Sequence, residues 1–154
     1  MGDFHIYVLA TVDPQLYAGS DWRGWSGGYS DAARALGALD LMAFVNGKGF
    51  AGLDLFTHSH GGSVAFLASR GGMDVGRLVL LSCPVHRNKY WPDFTRVRKV
   101  VSIRVRMDLV ILADGGGQRF CDPGIEEIVL PIWFKHSATH DPAVWDRENL
   151  PSRI

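Results

Sequence analysis

The stretch Leu53-Asp54-Leu55-Phe56-Thr57-His58-Ser59-His60-Gly61-Gly62-Ser63-Val64-Ala65-Phe66-Leu67-Ala68-Ser69-Arg70 decides how the chain is read. Residues 53–57 form a short apolar run, which predicts a buried parallel strand. Residues 61–70 predict a helix: Val64, Ala65, Leu67 and Ala68 supply an apolar face, and Gly71-Gly72 stops it. Ser59 falls between the two. A serine on a sharp strand-to-helix turn is held in strained backbone geometry, with its hydroxyl exposed above the sheet. Backbones approach closely there, so the positions two before and two after the serine need small side chains. Gly61 meets that need, and Thr57 is a larger substitute. The backbone N–H of His60 opens the helix and points where negative charge would develop.

Composition bounds the rest. The chain has 154 residues, 47% of them apolar and 21% charged, which suits one globular domain over 1–154. Sixteen basic side chains balance sixteen acidic ones, which argues against nucleic acid or an anionic membrane as the main partner. Two cysteines, Cys83 and Cys121, do not make a disulfide framework, so a reduced, cytoplasmic chain is expected. No run is long enough for a membrane span, and residues 6–12 are too short for a signal-peptide core. His58 and His60 form a His-x-His pair that His136 could join as a metal ligand. Yet no cysteine or acidic ligand stands at a recognisable spacing, so neither metal nor other cofactor is expected. His5 and His86 read as ordinary polar residues.

Taken in order, residues 4–11 are apolar and partly β-branched and predict a central strand. Residues 13–29 predict a long loop rich in glycine and aromatics. Trp22 and Trp25 within it either line a substrate pocket or pack the loop onto the body. Ser30 is an N-cap for a helix that Asn46-Gly47 ends. Residues 77–82 and 99–106 predict further strands, Leu109 to Ala113 is apolar again, and residues 125–134 contain the last strand, kinked or ended near Pro131. Asp141-Pro142 opens a short closing helix. The result is an α/β domain: a mostly parallel sheet of about five to six strands flanked by helices. A short sheet leaves an edge that another subunit can cover, which keeps a homo-oligomer open.

The segment Thr57-His58-Ser59-His60-Gly61 resembles the nucleophile elbow of the α/β-hydrolase superfamily, and "HSHGG" is similar to its lipase and esterase forms. "MDLVIL" at 107–112 and "KHSATHDPAVW" at 135–145 resemble that superfamily's acid and histidine regions. The resemblance runs from about residue 4 to 150 and is specific only at these three places. It implies a minimal α/β-hydrolase fold without a lid domain, in which serine, acid and histidine follow in that chain order. A serine hydroxyl needs an imidazole to take its proton and a carboxylate to orient that imidazole. The resemblance therefore implies Ser59 as nucleophile, Asp108 as acid with Asp114 as alternative, and His136 as base with His140 as alternative. His60 N–H would be one oxyanion donor. The loop after the first strand would supply the second, with Val12 preferred. The activity implied is cleavage of a small-molecule ester. An acyltransferase using the same residues and a catalytically inactive binding domain are the alternatives.

Overall fold

The computed structural model describes residues 2–21 and 25–154. Ser30 Oγ accepts the Ala33 N–H at 3.0 Å and starts α2 (Asp31–Lys48). Gly49, at φ 68°, ends α2 in the left-handed conformation that glycine tolerates. Asn46-Gly47 thus lies inside this helix rather than beyond it. Next come β1 (Leu53–His58), α3 (Gly61–Arg70) and β2 (Val75–Leu81). They are followed by β3 (Val97–Val105), α4 (Leu109–Ala113), β4 (Ile125–Leu130) and α5 (Pro142–Arg147). A 3-10 turn, His136–His140, sits between β4 and α5.

The chain opens on a helix, α1 (Asp3–Thr11), where the sequence predicts a strand. An unbroken apolar run satisfies either period, so packing decides. Phe4 and Tyr7 stand on one helical face and meet Trp145 edge-on at 5.1 and 6.1 Å, while Val8 beside them is buried. Tyr7 also donates to Asp146 at 2.5 Å. With that strand gone, the sheet among the described residues has four strands, not five to six, in the order β1-β2-β3-β4 and all parallel. The last strand ends at Leu130, directly ahead of Pro131, where the sequence places its kink or end.

Side chains alternate across β2, so the sheet is buried on both faces. Leu78 and Leu80 join Val64, Ala65 and Phe66 of α3 in one apolar cluster. Val79 and Leu81 join Ile103, Ile128, Trp145 and Leu150 in the other, against which Phe4 and Tyr7 pack. Strand β1 is different, being only half-buried along its length. Ser59 N–H donates to Leu81 O at 2.9 Å, so alternation turns the main-chain groups of Phe56 and His58 away from β2, toward an unpaired side. A largely apolar cavity of about 590 Å³ runs along that side, between Phe4 and Val8 of α1 and Leu41 and Phe44 of α2. Ser59 does not line it. No helix among the described residues is long and apolar enough to cross a membrane. Cys83, buried, and Cys121, exposed, are free thiols.

Candidate functional site

Four residues at the carboxyl ends of the four strands gather the chemistry, as open parallel sheets dispose their sites. Ser59 follows β1, Ser82 follows β2, Asp108 follows β3 and His136 follows β4. Ser59 has φ 53°, left-handed geometry that a serine adopts only at a cost of about 1–2 kcal/mol. Close contact beyond the turn explains the glycines there. A Cβ on Gly62 would stand 2.6 Å from Cys83 Sγ, whereas one on Gly61 would meet Thr57 Cβ at an ordinary 3.5 Å. Thr57 is therefore accommodated, and Gly62 is the position with no room. Burial against that glycine pushes the Cys83 thiol up to about 12, which keeps it unreactive.

Asp108 is fully buried, and its Oδ2 lies 2.7 Å from His136 Nδ1. The carboxylate can only accept, so Nδ1 donates to it and Nε2 is the ring nitrogen left on the other side. Oδ1 caps α4 by accepting Val110 N–H at 3.1 Å and Ile111 N–H at 3.3 Å. Gln118 fixes the backbone of Asp108 reciprocally: its Oε1 accepts the Asp108 N–H and its Nε2 donates to the Asp108 carbonyl, each at 3.0 Å. The His136 side is anchored as well. Ser82 Oγ donates to the His136 carbonyl at 3.1 Å, Thr139 Oγ1 donates to Ser82 Oγ at 3.3 Å, and Trp145 Nε1 donates to Thr139 O at 2.7 Å.

His58, next to Ser59 in the chain, bridges the elbow to the histidine loop. Its ring lies 4.7 Å from that of His136 and 4.3 Å from that of His140. Burial, then the neighbouring His140 and His136, push His58 down to about 4. His140 is lowered too, first by burial and then by His136. His140 has no carboxylate on its ring, and its Nδ1 is buried without a hydrogen-bond partner. Ser59 Oγ forms no hydrogen bond with any described residue.

Asp114, the alternative acid, faces a different pair. Its Oδ1 lies 3.2 Å from His60 Nε2 and its Oδ2 lies 2.8 Å from His86 Nε2. His60 Nδ1 receives Arg34 Nη2 at 2.9 Å. A guanidinium only donates, so Nδ1 is the acceptor and Nε2–H donates to Asp114. Arg34 is itself buried, pairs with Asp31 at 3.2 Å and stacks over Tyr90. Burial lowers the His60 pKa, Asp114 opposes this, and Arg34 adds to it, in line with the acceptor role of Nδ1. Ser59, His60, Asp114, Tyr29, Ile111 and Pro84 all border one cavity of about 300 Å³.

His60, His86 and Asp114 are the described residues that come closest to a metal-binding set. The donor chemistry opposes it. A metal at His60 Nε2 would drive that ring's proton onto Nδ1, straight at the Arg34 guanidinium, where metal-bound histidines instead face an acceptor.

One sequence expectation fails on geometry, one of two open readings is met, and one lies outside the described residues. Val12 N–H is donated to Val8 O at 2.9 Å and closes α1, so it is not free as a second oxyanion donor. That expectation depended on a strand where the chain is helical. Trp25 packs against the first apolar cluster, over Gly37, rather than bordering the cavity beside Ser59. Trp22 lies outside the described residues. The tyrosine of that loop, Tyr29, is the aromatic beside the serine. Gln118, Arg34 and His86 carry no local sequence signal for the positions they take. No protein-family model, no curated protein and no solved structure matches this chain.

Proposed function

We propose that this protein is a serine hydrolase of the α/β-hydrolase kind that cleaves a small ester through Ser59, His136 and Asp108. The observation that carries the reading is the 2.7 Å hydrogen bond between buried Asp108 and His136 Nδ1, made at the same sheet rim as a serine strained to φ 53°. Nε2 of His136 takes the Ser59 proton as Oγ attacks the carbonyl carbon. The same proton then passes to the departing alcohol, leaving an acyl-serine. Water repeats the sequence and releases the acid. Asp108 holds the imidazole in the required tautomer and stabilises the imidazolium. His60 is the N-cap of α3, ahead of the first intrahelical hydrogen bonds, which makes its N–H available to the oxyanion. Turnover of short p-nitrophenyl esters, with fluorophosphonate labelling at Ser59, tests the reading. An unlabelled serine and no turnover sink it. Product analysis with competing alcohols separates hydrolysis from acyl transfer.

A second reading, a ligand-binding domain without catalysis, draws on the absence of a hydrogen bond from Ser59 Oγ. Against it stands general experience that such bonds are long before substrate arrives. Ligand binding without any fluorophosphonate labelling would favour it.

A further inference from the structure

We propose that the cavity beside Ser59 receives an alkylammonium group, held between the carboxylate of Asp114 and the ring of Tyr29. The preferred substrate is then a small ester with a cationic nitrogen in the half lying over these two residues. The choice of scissile bond rests on the hydrolase reading; the choice of bound group rests on the cavity alone.

Among the side chains bordering this 300 Å³ cavity, Asp114 is the one with a formal charge. Its two oxygens each accept one N–H, from His60 and from His86. A carboxylate offers about four acceptor positions, so acceptor capacity remains. The His60 donor does not cancel the charge, because its Nδ1 is occupied by Arg34 and the ring stays neutral. The permanent cation Arg34 lies across the imidazole and is itself paired with Asp31. The anion therefore borders the cavity with a neutral His60 beside it.

Tyr29 supplies the second element. It is 73% exposed, its ring lies T-shaped to that of His60 at 5.1 Å, and it lines the same cavity as Asp114. An aromatic ring next to a carboxylate is the combination that recognises ammonium groups, through the negative face of the ring and direct charge attraction. Pro84, Val110, Ile111 and Ala113 complete the wall with apolar contacts suited to methyl and methylene groups. The volume is at the low end for ligand pockets, which favours a small substrate. A bare metal ion is the competing cation, and the His60 tautomer set by Arg34 opposes it.

The test compares acetylcholine with its uncharged isostere 3,3-dimethylbutyl acetate at pH 8, alongside NMR of the His60 and His86 imidazoles during titration with phenyltrimethylammonium or tert-butylbenzene. The expected result is a kcat/KM ratio of about tenfold or more for the charged ester, and imidazole shifts with the ammonium probe only. D114N should bring the ratio to about one. Tyr29→Ala, at an exposed position, should lower it about threefold and guards against a D114N chain that does not fold. Cleavage of both esters at equal efficiency, with no ammonium-specific shift, overturns the inference and leaves the hydrolase reading standing. Ammonium-specific shifts without turnover of either ester uphold the cavity assignment and remove the hydrolase reading. Neither shift nor turnover overturns both.

Discussion

His136 Nδ1 lies 2.7 Å from Asp108 Oδ2, and the same carboxylate caps α4 through its other oxygen. One side chain thus orients an imidazole and starts a helix. Replacement with asparagine keeps a capping oxygen but loses the charge. D108N is expected to lower kcat by about 10³- to 10⁴-fold with little change in stability. D108A should match that loss and also destabilise the fold by about 1–2 kcal/mol. Ester kinetics and urea unfolding on the two variants check the separation.

The strain at Ser59 gives a second expectation. Ser59→Gly relieves the left-handed penalty and is expected to raise stability by about 1 kcal/mol, while Ser59→Ala keeps it. Both should abolish fluorophosphonate labelling. Equal stabilities for the two variants would show that the turn is unstrained.

His58 sets a pH dependence. Its folded-state pKa of about 4 lies below the unfolded value of 6.5, so the unfolded chain binds the extra proton between these values. Stability contributed by keeping this ring neutral is present above pH 6.5 and is lost as pH falls toward 4. The loss is on the order of 3 kcal/mol. His60 and His140, also lowered, add in the same direction. His58→Gln should flatten the fall in unfolding free energy between pH 7 and pH 5. An unchanged slope would remove His58 as its source.

Arg34 holds His60 from the side opposite Asp114, which fixes the residue directly after the strained serine. Arg34→Met leaves His60 Nδ1 buried and unpaired, at a cost of roughly 2 kcal/mol. The elbow should also loosen, with kcat falling about tenfold while KM moves little. Thermal unfolding and steady-state kinetics measure the two effects, and a rise in KM at constant kcat would place Arg34 in substrate binding instead.

The strongest local signals lay around the serine. Residues 61–70 read as a helix because glycines bracket an apolar face, and the structure puts α3 over the same residues. Asp141-Pro142 likewise marked the start of α5. Residues 4–11 misled because FHIYVLAT is largely apolar at either period, and Trp145 and Asp146, far along the chain, select the helix. The Val12 donor fell with that strand. The Arg34–His60–Asp114–His86 chain was illegible for a related reason. Arg34 and His60 are 26 positions apart on different helical segments, and no local pattern announces their contact. Gln118 is similar: a polar residue after a glycine turn has no signature until the loop folds back on Asp108.

The open flank of β1 reaches further than its own hydrogen bonds. Phe56 and His58 offer main-chain donors and acceptors to that side, and the strand they belong to runs directly into Ser59. Any extended segment hydrogen-bonded along this flank would lie against the strand whose chain continues directly into Ser59. Tension or slack in β1 would reach the proposed nucleophile through the chain itself, with no contact to a substrate.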